Sequence, residues 1–179
     1  MKKSKFSLTE HKDEFVEIVK KTDHKTLAIW AIDCVERVLP YFEEKYPEDH
    51  RPRQAIETLQ TWIHTGVFKM AVIRGASLTA HAAAREAKEN NNAACFAARA
   101  AGQAVATAHV PQHAFGAPYY ALKAVAAADP ANAEVNVARE WNWQVRHVSK
   151  NLREEVLKRV VIQNNGHGIS IKIQKGKDY

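Results

Sequence analysis

His109 and His113 stand four residues apart, the spacing at which two imidazoles on one helix face can reach a single metal ion. The glutamate of the zinc-peptidase motif is missing, because Val110 follows His109, and Pro111 falls between the pair. His81, from a preceding segment, is the third candidate ligand. Biological zinc sites use three or four protein ligands, and histidines also hydrogen-bond across tight helix interfaces, so the residues favour neither a metal nor a cofactor. A wider set, Asp33, Glu36, Arg37, His81, Arg85, Gln103 and His109, converges if the helices carrying it are neighbours. A carboxylate beside a histidine can tune it for acid–base chemistry; for an enzyme the catalytic group is Asp33, Glu36, His81, Arg85 and His109. The favoured alternative is structural. Asp33, Arg37, His81, Arg85, Gln103, His109 and His113 then form an interior polar network that sets the register of helices too rich in small residues to specify it themselves. Trp143 beside Arg139, Arg146 and Lys150 could stack on a base, but an exposed or tail-covered tryptophan is the simpler account. The sequence holds no glycine-rich phosphate loop, no serine or cysteine nucleophile motif and no CxxC pair.

The elements that must position these residues are helical. Alanine, the best helix former, fills Ala80–Ala87 and Ala100–Ala108. Ser7 and Glu10 form a capping box for a first helix to about Lys21. A second helix, from Lys25 to about Glu44, is apolar almost all round (Leu27, Ala28, Trp30, Ala31, Ile32, Val35, Val38, Leu39, Phe42) and is expected to run through the middle of the bundle. Asp33 and Arg37 have ion-pair spacing on it, and Pro40 should kink it or end its first half. Pro52 opens a third helix that Gly66 closes. A fourth, from about Phe68 to Glu89, aligns Ile73, Ala76, Ala80, Ala84 and Ala87, and Asn90-Asn91-Asn92 breaks it. A fifth begins near Ala93 with Cys95, Arg99, Gly102, Ala106, His109 and His113 on one stripe, and is expected to continue, kinked at Pro111, to Ala128. Asp129-Pro130 is the clearest helix start. The long last helix should bury Ala138, Trp141, Val145, Val148, Leu152 and Val156. Past Val160, Ile169, Ile171 and Ile173 alternate as in a strand hairpin, which must pack on the bundle or on another chain.

Composition agrees with helices. The 179 residues suit one domain, hydrophobic content is 46% with only 8% aromatics, and seven glycines and six prolines are too few for an all-β chain. No segment reads as a signal peptide or reaches the length of a membrane span. Cys34 and Cys95 lack metal-type spacing and read as buried thiols in a reducing cytoplasm. The net charge of +6 admits an acidic partner, but the charge is dispersed and disfavours nucleic-acid binding.

Four segments taken in order carry a resemblance: Leu27–Leu39 with Phe42-Glu43, Arg51–Ile56, His81–Arg85, and Ala100–His109. Together they resemble the immunity-protein family whose immunity-five-like helical domain accompanies bacterial polymorphic toxin systems. The similarity spans roughly Leu8 to Leu157. It implies an α-helical protein that neutralises a cognate toxin by binding it.

The expectation is therefore one all-α bundle of six or seven helices over residues 7–158, with a short C-terminal β-hairpin or tail extension over 159–179. The expected protein is cytoplasmic, binds a toxin protein, and needs no membrane and no nucleic acid. The open hairpin edge allows a homodimer. The runner-up is a metal-binding protein or hydrolase-type enzyme using the His/Asp/Glu set, and a third reading is a basic nucleic-acid-associated protein.

Overall fold

The computed structural model describes residues 24–164 and 169–173. The expected first helix, its capping box and the tip of the hairpin lie outside these residues. The remainder is an all-α bundle with a two-stranded C-terminal hairpin.

Helix α1 spans His24–Glu36. The chain then turns through Arg37–Leu39 into the single-turn α2, Pro40–Glu43. The break falls at Glu36 for a steric reason: Pro40 has no N–H to donate, and its ring clashes with the carbonyl four residues back. Helix α3 spans Arg51–Thr65 with Pro52 in its first turn, and it ends at Gly66, whose φ of 69° closes the helix through a bond from its N–H to the Trp62 carbonyl. Helix α4 is Met70–Ala87. The Asn91 side chain accepts from the Ala94 N–H at 2.9 Å and so caps α5, Asn92–Ala106.

The expected kinked continuation across Pro111 is not what forms. Helix α5 stops at Ala106, Val110 is extended (φ −132°, ψ 109°), a 3₁₀ helix covers Pro111–Phe115, and a separate α6 spans Gly116–Ala128. The restriction that proline places on its predecessor accounts for the extended Val110. Asp129 does cap: its side chain accepts from the Asn132 N–H, and Pro130 opens a 3₁₀ turn that leads into α7, Ala133–His147. An extended Val148 divides the expected long last helix, and α8 follows over Lys150–Arg159. Strands β1 (Val160–Asn164) and β2 (Ile169–Ile173) pair antiparallel with Ile162 opposite Ile171, and β2 packs on α6. Three long helices broken in this way give eight α-helices among the described residues.

The centre of the bundle is α5, not the tryptophan-bearing α1. Helix α5 packs most extensively on α4 and α6 and also touches α1, α2 and α3. Ten of its residues, Ala93, Ala94, Cys95, Ala97, Ala98, Ala100, Ala101, Gly102, Ala104 and Val105, are buried, and the stripe of Phe96, Arg99, Gln103 and Ala106 is half-buried. Every apolar α1 residue expected inside is inside, but Ile29, Asp33 and Arg37 keep one side of that helix open to solvent. Small side chains let a helix accept close neighbours all round, so the smallest residues mark the centre here. Cys34 and Cys95 are both buried free thiols. Among the described residues no helix is long and apolar enough to cross a membrane.

Candidate functional site

Most of the polar residues singled out by sequence fall into two separate groups. The first lies between α1 and α7. Arg37 does not pair with Asp33 one turn before it. Its Nε donates instead to Glu140 Oε2 of α7 at 2.8 Å, with the Arg37 side chain 37% exposed and the Glu140 carboxylate 5% exposed. Gln144 Nε2 donates to Glu140 Oε1 at 3.2 Å and to the Pro118 carbonyl at 3.3 Å, while Trp30 Nε1 donates to the Gln144 backbone carbonyl at 3.1 Å. The Arg37 guanidinium lies 4.1 Å from the centre of the Trp143 ring, and Trp143 stacks on His147 at 4.0 Å. Asp33 sits at the rim of this network. Partial burial pushes its carboxyl above the usual range, and the nearby His147 opposes the shift.

Helix α7 buries Val137, Glu140 and Gln144. Ala138, expected inside, is exposed, and Trp141 and Val145 are half-buried flanks. An apolar reading of the sequence chose the neighbouring stripe because two of its residues are large and hydrophobic. The steps from Val137 to Glu140, Gln144 and Val148 are three, four and four, so the true stripe was present in the spacing. It was hidden by residue type, since a buried glutamate and glutamine need partners that stand on other helices. Trp143 is half-buried and engaged by Arg37 and His147, so it is no free stacking platform.

The second group lies where α4, α5 and the 3₁₀ helix meet. The His81 ring fills the space a side chain at Gly102 would need: a Cβ there would come within 2.9 Å of His81 Cε1 and Nε2. Ser77 Oγ donates to the Gly102 carbonyl at 2.9 Å, a second tie between α4 and the same point of α5. Gln103 occupies a matching notch at Gly116, whose Cβ would lie 2.6 Å from Gln103 Oε1, and that oxygen is 2.8 Å from His113 Nδ1. Burial, reinforced by the charges of Arg99 and Arg85 and by His113, pushes His81 below the ordinary imidazole range; burial and then His109 do the same to His113. Burial thus favours the neutral form of both rings, which suits side chains held between helices.

The remaining candidates lie apart. Arg85 is exposed on α4, and His109 is exposed at the end of α5, stacked on Phe68 with ring centres 6.4 Å apart. The loss of helix across Val110 separates His109 from His113 in backbone geometry, and among the described residues no three histidine, cysteine, aspartate or glutamate side chains are grouped to share an ion. Glu36 belongs to neither group: it accepts from Arg53 at 2.7 Å, and Arg53 also binds Glu43. The expected convergence of Asp33, Glu36, Arg37, His81, Arg85, Gln103 and His109 is thus two networks and three outliers, because the polar groups near α1 find their partners on α7 while His81 of α4 is seated against α5.

The family model of the Imm-5 like putative immunity protein matches residues 17–151. The match runs through the whole of α1 to α7, and the β1–β2 hairpin falls outside it. No curated protein and no solved structure matches the chain.

Proposed function

The chain belongs to the Imm-5 like putative immunity protein family, and from that membership we propose that it neutralises a cognate toxin by binding it as a protein. The match over residues 17–151 is the observation that carries this reading. The site geometry supports it in a second way. Arg37 engages Glu140 of another helix, Gln144 reaches the Pro118 carbonyl of a third, and Gln103 meets His113 of the 3₁₀ helix. Their polarity is spent on holding a rigid helical body together, and a rigid body can meet a partner without paying again for order.

The test is co-expression with the product of each adjacent gene. The expected result is a stoichiometric complex with one of them, together with rescue of growth when that product is toxic. If every neighbouring product stays unbound and its toxicity is unchanged, the immunity reading is wrong.

A further inference from the structure

His24, the first described residue, is fixed at one end of the bundle. Its Nε2 donates to the Thr107 carbonyl just past α5, and its ring lies 4.9 Å from that of Trp62 near the end of α3. Lys25 Nζ donates to the Ile63 carbonyl at 2.6 Å. Residues 1–23 therefore join the bundle at the corner where α3 and α5 end and α4 begins.

The same corner carries exposed apolar side chains. Lys69 is extended (φ −128°, ψ 106°), so Phe68 and Met70 on either side of it project the same way. Phe68 is 43% exposed and stacks on His109, two residues past Thr107. Met70 is 42% exposed. Ser77 of α4 is bonded to Gly102 of α5. The two helices run antiparallel, so Met70, seven residues before Ser77, stands level with His109, seven residues after Gly102. Ala106 and Val110 beside His109 are only half-buried. Scattered exposed hydrophobics are ordinary, but these share one turn with the residue at which the chain enters.

The sequence before His24 supplies the complement. Leu8, Phe15, Ile18 and Val19 fall within about 100° of one another on a helix, and Ser7 and Glu10 are spaced to cap its start. A short amphipathic helix is held by burial of its apolar face more than by propensity. Val19 stands five positions before His24, so it lies within about 18 Å of it however the chain runs. Glu14, one turn before Ile18, flanks the apolar face. The receiving corner has no carboxylate to oppose it: no Asp or Glu occurs between Glu57 and Glu86 or between Glu89 and Asp129. Lys69 and Arg74 are exposed there and make no ion pair among the described residues. The family match begins at residue 17 and so takes in Ile18 and Val19.

We infer that residues 8–19 form a helix whose Leu8, Phe15, Ile18 and Val19 dock on the corner made by Phe68, Met70 and His109, closing that end of the bundle. A segment tethered by five residues competes for the corner at an effective concentration of roughly millimolar, which favours it over a second copy or a separate protein. The inference is independent of the toxin reading above.

Hydrogen exchange on the full chain is the experiment, with melting curves to show that each variant folds. The amides of residues 11–21 are expected to exchange at least about tenfold more slowly than in an unstructured chain. Phe15→Asp should remove that protection and speed exchange at residues 68–72. Met70→Asp is the reciprocal probe. An acid in the first turn of α4 is favourable by itself, so with nothing docked this variant melts at or above the parent's temperature. With the segment docked it melts lower and loses protection over residues 11–21. Ile29→Asp, on an exposed residue of α1, should leave that protection unchanged. Free exchange of residues 11–21 in the parent, or protection that survives Met70→Asp, overturns the inference. Protection lost in Ile29→Asp alone places the segment on α1, and protection that fades on dilution places a second copy on the corner; either result overturns it as well.

Discussion

The α1–α7 and α4–α5 contacts solve the same problem, fixing one helix against another, with different materials. Between α1 and α7 the side chains are large and polar: Arg37, Glu140, Trp30 and Trp143 tie the helices through hydrogen bonds at 2.8 and 3.1 Å and a guanidinium laid on an indole. Between α4 and α5 the side chains are mostly alanine, and register comes from shape, with His81 seated where Gly102 has no side chain. Hydrogen bonds specify through direction, so they tolerate some change of volume. A notch specifies through volume, so it tolerates almost none.

Breaking the polar contact should have the largest effect. Arg37→Ala leaves the Glu140 carboxylate buried with only the Gln144 amide beside it, a loss of about 3 kcal/mol, read as a fall in melting temperature of about 10 °C for a chain of this size. Arg37→Lys should recover little, because lysine offers neither the Nε donor nor a planar group for Trp143. An Arg37→Met/Glu140→Met double variant should regain most of the stability. If it does not, the contact depends on more than the ion pair.

The notch should break by a smaller amount and in a way that isolates its cause. Gly102→Ala is expected to cost about 1–2 kcal/mol through the clash with His81. Combined with His81→Ala the same substitution should become neutral or stabilising, since alanine is the better helix former. The coupling energy of that double-mutant cycle is the measurement. Additive effects would mean the two helices are not registered by His81.

Titration sharpens the comparison further. His81 and His113 have depressed proton affinity when folded and recover an ordinary pKa of about 6.5 when unfolded. Between those values the unfolded chain binds more protons, so stability should decline as pH falls below about 6.5 and keep declining until the folded-state pKa values are passed. Thermal melts between pH 7.5 and 5 should show a steeper decline for the parent than for His81→Leu. Equal slopes would place the histidines in contact with water.

The smallest effect belongs to the other side of α4. Gly75→Ala should raise stability by about 0.5–1 kcal/mol because no atom of the described residues opposes the added methyl. A loss of stability there would mean that the notch is filled within the fold, and the contrast with Gly102 would disappear.

Most of the local structure was legible in the residues. Asn91, Asp129-Pro130, Pro52 and Gly66 act as caps and stops where their chemistry places them, and the apolar α1 residues are buried as their spacing requires. The break at Pro111 was misjudged because composition on both sides is helical, while the backbone of Val110 answers to the proline. The site was less legible. His81, Gln103 and His113 do come together with Gly102, but Glu36 went to Arg53, and Arg37 to a glutamate that sequence had placed on no interior face.

By itself the sequence determined most of the caps and stops, the apolar stripe of α1, and the family to which the chain belongs, because capping chemistry and the 3.6-residue period act within a few residues of one another. Which stripe meets which neighbour was decided by the tertiary structure. A period places Glu140 and Gln144 on one line of α7 but is silent on whether Arg37 and Pro118 stand opposite. Only those partners make burying the line favourable.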